Sequence, residues 1–142
     1  MSVLLALWIV GVMPISARPR AKRVVMIALD GISVPGFTTA HTPNLDNLLA
    51  QGALSLTTRV VMPSVTLPNW TSHLTGSGPE QHGVVDNGWQ IDKKGFPAVE
   101  IDKEGYYPSV FKVMKEEIPE CKTAFYYNWI NLFYPYNKKY LD

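Results

Sequence analysis

Arg23-Val24-Val25-Met26-Ile27-Ala28-Leu29-Asp30-Gly31 is an unbroken apolar, β-branched run that closes on an acid and a glycine. A run of this kind predicts a strand buried on both faces, and therefore parallel, with Asp30 at its carboxyl edge. Downstream, Thr42-Pro43-Asn44-Leu45-Asp46-Asn47-Leu48-Leu49-Ala50-Gln51-Gly52 predicts a helix. Thr42 stands at the N-cap, Pro43 in the first turn, the leucines on one face and Gly52 at the stop. Ala53 to Met62 then predicts a second strand through Leu54, Leu56, Val60 and Val61, giving a βαβ order. Such an order implies an α/β fold with a mainly parallel sheet, whose ligand chemistry gathers at the carboxyl ends of the strands.

Working outward, Pro63-Ser64-Val65-Thr66-Leu67-Pro68-Asn69-Trp70-Thr71-Ser72-His73-Leu74-Thr75-Gly76 reads as a turn entering a short helix, with Thr66 at its N-terminus. Gly83 to Glu100 is turn-rich and predicts a hairpin or excursion. Pro108 to Glu117 carries helical spacing and stops before Pro119, and Lys122 to Trp129 predicts a third buried strand. The aromatic run Phe125 to Tyr134, close to Asp142, needs something to pack against. It reads either as a surface for an absent part of the fold or as a final strand covered by this chain.

The chain has 142 residues, 46% apolar and 11% aromatic, enough for one compact domain. Thirteen basic side chains against twelve acidic ones give a net charge of +1, so no whole-chain field attracts nucleic acid or an anionic membrane. The single cysteine, Cys121, excludes an internal disulfide framework and a thiolate zinc cluster, leaving oxygen and imidazole as metal donors. Val3 to Val12 is an apolar stretch too short for a membrane span of about 20 residues. Followed by Met13-Pro14-Ile15-Ser16-Ala17, it fits the h-region of a signal peptide, although Arg18, Arg20, Lys22 and Arg23 all follow it. Residues 1–23 are thus expected to be an export signal with its basic flank, giving a periplasmic or extracellular protein, and 24–142 the folded body.

Three residues carry candidate chemistry: Asp30 at a strand end, Thr66 at a helix N-terminus and Asn87 in the following Asp86-Asn87-Gly88 loop. Each has a plain alternative, namely a turn acid, a cap and a loop asparagine. Taken jointly they fit phosphoryl transfer. The helix N-terminus offers N–H groups and positive dipole to an anionic ester. A cation on Asp30 that touches the Thr66 oxygen would stabilise an alkoxide. Asn87 would donate to charge developing on phosphorus.

Together, Leu29-Asp30-Gly31, the helix T-P-N-L-D-N-L, the segment P-S-V-T-L-P-N-W-T-S-H-L-T-G and the loop P-E-Q-H-G-V-V-D-N resemble the type I phosphodiesterase/nucleotide pyrophosphatase family of the alkaline phosphatase superfamily. The resemblance implies an α/β/α sandwich, of which residues 24–142 would be the N-terminal part. It also implies a two-zinc hydrolase acting on small phosphodiester or nucleotide substrates, with Asp30 and Thr66 as metal ligands, Thr66 as the nucleophile and Asn87 as the phosphoryl-oxygen donor. Related sulfatases use Cys or Ser followed by x-Pro-x-Arg, whereas Thr66-Leu67-Pro68-Asn69 has neither that nucleophile nor the arginine. The family's other metal ligands fall in a C-terminal half beyond the matched segments. His41, His73 and His82 read as structural or surface residues, and Asp46, Asp86, Asp92 and Asp102 as helix, turn and loop residues. The alternatives are a truncated, non-catalytic member of the family and a related phosphatase, sulfatase or phosphonate hydrolase. Trp70, Trp89 and the cluster Tyr126 to Trp129 fit core packing better than stacking on a nucleobase.

Overall fold

The structure is a computed structural model that describes residues 22–93 and 95–142. Most of the expected signal segment therefore lies outside the described residues. The chain divides into two units, one ending at Gly31 and one from Ile32 to Asp142.

In the first unit, residues 24–29 form no helix or strand, with Val24, Val25, Met26, Ile27 and Leu29 each 65% to 81% exposed. Asp30 Oδ1 accepts the N–H of Gly31 at 2.7 Å, and Gly31 adopts φ 73°, a left-handed turn open to glycine. The strand expected here does not form among the described residues.

The second unit is built from five α-helices: α1 Val34–Thr39, α2 Pro43–Leu49, α3 Thr66–Thr75, α4 Pro79–His82 and α5 Val110–Glu117. Two 3-10 helices follow, Ile130–Phe133 and Lys138–Tyr140. No strand forms among the described residues, so the strands expected over 53–62 and 122–129, and the hairpin expected over 83–100, are corrected to irregular segments, bends and turns. The sandwich itself is not visible. Extended chain becomes a strand only when a neighbour takes up its N–H and C=O groups, and a parallel sheet needs covering layers on both faces. Here Leu54, Val60 and Met62 stay 54%, 63% and 75% exposed.

The helices follow the sequence more closely. Pro43 opens α2 as expected, but the Thr42 hydroxyl bonds the Asp46 carboxylate at 3.2 Å instead of capping a backbone N–H. The helix stops at Leu49, three residues before Gly52. Helix α1 falls where the sequence showed only a loop; Ser33 caps it through Gly36 N–H at 3.2 Å. Helix α5 begins at Val110 because Ser109 is its cap.

Helix α3 organises this unit. Leu67 and Leu74, two turns apart on one face, enter two separate clusters. Leu67 packs with Val84 and Trp89, flanked by Trp129, Leu132 and Tyr134. Leu74 packs with Phe111 of α5 and Tyr136, flanked by Phe125 and Tyr140. Tyr136, 1% exposed, meets Phe111 edge-on at 5.8 Å and donates its hydroxyl to Trp70 O at 3.2 Å. Burial pushes the Tyr136 phenol well above its ordinary range. The aromatic tail from Trp129 onward is thus core of this chain, while Tyr126 remains 93% exposed.

The tail is fastened at its last residue. The Asp142 carboxylate accepts from Lys115 Nζ of α5 at 2.6 Å, Thr123 N–H at 2.7 Å and Lys122 Nζ at 3.1 Å. These donors, Lys115 first, hold its pKa far below the usual carboxylate range.

Leu67→Ala removes a fully buried side chain from α3 and is expected to cost about 2–5 kcal/mol in urea unfolding. Leu48→Ala, at a position 70% exposed, is expected to cost no more than about 0.5 kcal/mol in the same measurement.

Candidate functional site

The start of α3 is where the sequence-derived candidates meet. Val65 occupies the N-cap with no side-chain bond, and Thr66 is the first helical residue. A helix start leaves backbone donors without intrahelical partners. At α3 one is absent, because Pro68 has no N–H, and one is filled from outside: Leu67 N–H donates to Asn87 Oδ1 at 2.8 Å. An amide oxygen must face that donor, so Asn87 points its oxygen at the helix and keeps its Nδ2 hydrogens, which have no protein acceptor among the described residues. The Thr66 hydroxyl is half-buried and likewise has no hydrogen-bond partner there. The Asn87 amide is therefore held at the residue next to Thr66, through Leu67 N–H, and neither its Nδ2 nor the Thr66 hydroxyl has a hydrogen-bond partner among the described residues.

Three local devices hold this arrangement. Asp86 Oδ1 accepts Gly88 N–H at 2.7 Å, an Asx turn that sets Asn87 at its apex. Asn131 Nδ2, in the 3-10 helix, donates to Asn87 O at 2.9 Å. On the other side, Asn69 binds the segment leading into α3. Its Oδ1 accepts Val61 N–H at 2.9 Å and its Nδ2 donates to Val65 O at 2.9 Å and Pro63 O at 3.2 Å. Sequence reasoning singled out neither Asn69 nor Asn131. Asn69 left a weak signal as an asparagine one residue after a helix-opening proline; Asn131 left none.

Beneath the site, Trp89 is 7% exposed in the Leu67 cluster, and its indole N–H finds no acceptor among the described residues. His82 closes α4 and is 2% exposed. Its Nδ1 accepts Val84 N–H at 3.0 Å, which places the ring proton on Nε2, 3.0 Å from Ser72 Oγ. Burial lowers its pKa to about 4, with the Glu80 charge opposing. The imidazole is neutral, committed at both nitrogens and not available as a base for Thr66. His73 Nδ1 lies 2.8 Å from Asn69 O, one turn back on α3. Both histidines keep the structural reading; His41 lies just before α2 in an exposed position.

Asp30 belongs to the first unit, where its carboxylate shapes the turn at Gly31. Among the described residues, no group of three or more His, Cys, Asp or Glu side chains is placed to hold a metal ion. A zinc pair takes roughly six to eight protein ligands. The residues present do not make such a centre by themselves.

Residues 24–138 match the family described as type I phosphodiesterase / nucleotide pyrophosphatase. The chain belongs to that family. Among its relatives, mouse ectonucleotide pyrophosphatase/phosphodiesterase family member 3 is 35% identical over 66 residues, which cover 45% of this chain and 8% of the mouse protein. The mouse bis(5'-adenosyl)-triphosphatase enpp4 is 30% identical over 83 residues, 57% of this chain and 18% of the relative. Venom phosphodiesterase of Macrovipera lebetinus is 23% identical over 148 aligned positions, 77% of this chain and 17% of the relative. The chain thus spans less than a fifth of the length of these relatives. No solved structure matches.

The buried imidazole gives a stability signature. The unfolded chain binds a proton at His82 near pH 6.5, whereas the folded chain resists it down to about pH 4. Stability should therefore be complete above pH 6.5 and fall as the pH drops from there to about 4, by at most about 3 kcal/mol. Urea midpoints across that window measure the fall, and His82→Asn should flatten it.

Proposed function

We propose that the protein containing this chain hydrolyses phosphodiester or pyrophosphate bonds of nucleotide-type substrates, with Thr66 as the nucleophile. The observation that carries the reading is the pairing of Asn87 with Leu67 N–H in the first turn of α3, one residue from Thr66, which leaves the Asn87 amide hydrogens and the Thr66 hydroxyl uncommitted among the described residues. Family membership and the activities for which the relatives are named support the substrate class.

In this reading the substrate phosphoryl group sits at the N-terminus of α3, where the dipole and the Thr66 N–H favour negative charge. Thr66 Oγ1 attacks phosphorus, the P–O bond to the leaving group breaks, and a phosphothreonine forms. Water then attacks the same phosphorus and releases Thr66. Asn87 Nδ2 donates to the non-bridging oxygen as its charge grows. Pro68 keeps the first turn of α3 rigid.

Zinc belongs to this proposal through the family resemblance. Asp30 and Thr66 would be this chain's donors to it, and the remaining ligands would come from outside the described residues. The α/β/α sandwich, with 24–142 as its N-terminal part, and export directed by residues 1–23 are parts of the same proposal. No helix among the described residues is long and apolar enough to cross a membrane. A second reading, a non-catalytic member of the family, has one observation in its favour: the described residues assemble no metal-ligand cluster.

Hydrolysis of a chromogenic phosphodiester in the presence of zinc separates the two. Thr66→Ala should abolish turnover, and Asn87→Ala should lower kcat by about 10²-fold, roughly 3 kcal/mol of transition-state stabilisation. Turnover unaffected by Thr66→Ala would remove Thr66 from the reaction, and no zinc-dependent turnover at all would favour the second reading.

A further inference from the structure

We propose that His82 is a positioning residue that holds Asn87 at the start of α3 by anchoring the intervening loop to Ser72. The inference rests on the reading of Asn87 as the phosphoryl-oxygen donor and extends it to how that donor is kept in place.

The loop from His82 to Asn87 runs along α3 and is tied to it at both ends. At one end His82 Nε2–H meets Ser72 Oγ at 3.0 Å, and at the other Asn87 Oδ1 takes Leu67 N–H at 2.8 Å. Ser72 and Leu67 are five residues apart on the helix, about 7.5 Å along its axis. Between the ties, Val84 is 1% exposed and packs on Leu67 and Trp89. His82 also turns the chain. Its Nδ1 accepts Val84 N–H, closing a tight loop over Gly83 at φ 74°.

That turn cannot be relaxed easily. A Cβ on Gly83 would lie 2.6 Å from Phe96 O and 3.0 Å from Ala98 N, so the backbone there is already against its neighbour. Val99 N–H donates to Gln81 O at 2.9 Å and pins the same corner from behind. The ring edge of Tyr107 covers the imidazole at 6.3 Å. Every partner of His82 is therefore fixed independently, and the ring transmits the position of α3 to the start of the loop carrying Asn87. A catalytic donor needs placement to within about 0.5 Å, and the tie to Ser72 adds to those that Leu67 and Asn131 give the Asn87 end.

The imidazole supplies two nitrogens at set spacing, an acceptor toward the loop and a donor toward the helix. His82→Asn keeps an acceptor oxygen near the Nδ1 position for Val84 and loses the reach to Ser72. Ser72→Ala removes the same bond from the helix side, and Ser72→Thr restores a hydroxyl.

The test uses the protein containing this chain and two readouts. In amide exchange, His82→Asn and Ser72→Ala should speed exchange at Leu67 by about tenfold while Val113 N–H of α5, bonded to Ser109 O, keeps its rate. Ser72→Thr should restore the Leu67 rate. In turnover of the chromogenic phosphodiester, His82→Asn should lower kcat about tenfold with KM within about twofold, and should add less than about twofold on an Asn87→Ala background. Equal acceleration at Leu67 and Val113 would reduce His82 to a general stability role and overturn the proposal. So would a full tenfold loss persisting on the Asn87→Ala background. Should Asn87→Ala leave turnover unchanged, the reading of Asn87 as donor fails, and the exchange comparison still decides whether His82 holds the loop.

Discussion

Burial of one face of α3 is the constraint on which the second unit depends. Leu67 and Leu74 project from that face into two clusters that share no other helix, so the helix is the common wall of both. The loop carrying Asn87, the 3-10 helix carrying Asn131 and the tail ending at Asp142 all take their positions by packing against it or its immediate neighbours. A helix held along its whole length presents its N-terminus as a fixed object. That makes its first turn suitable for placing a hydroxyl and an amide against a tetrahedral phosphorus.

The polar bonds around the site divide the work differently from the apolar ones. Leucine and tryptophan packing fixes where α3 lies but tolerates sliding by fractions of an ångström. Directional bonds from Asn69, Asn87 and Asn131 remove that freedom at the helix start. The recurring use of asparagine has a chemical reason: each amide can accept from one backbone group and donate to another, joining two segments of chain with a single side chain.

What could be read from the sequence follows from how local each signal is. Pro43, Pro68 and Gly76 mark helix ends through φ restriction and a left-handed turn, and α2 and α3 begin where the sequence puts them, whereas α5 starts at Val110, two residues after the expected Pro108. The proximity of Thr66 and Asn87 was legible through family motifs, since nothing in their spacing alone brings residues 66 and 87 together. The strands were not legible in the same way. Val24 to Leu29 has strand composition, but a strand is a relation between two segments, and hydrophobic pattern reports only one of them. Helices α1 and α4 escaped notice because six and four residues are too short for periodicity to register. The aromatic tail reads as excess surface in one dimension; its return onto α3 depends on contacts such as Tyr136 with Trp70, 66 positions away.

The exposed run Val24 to Leu29 also bears on how the protein behaves in the test tube. Six consecutive residues without charge, proline or glycine, in no helix and open to solvent, have the makings of a steric zipper. Arg23 and Asp30 bracket the run as charged gatekeepers against association between chains. Replacing Asp30 to probe ligation removes one of those two charges at the same time. A loss of soluble protein in such a variant would then report on self-association through this run, independently of any metal.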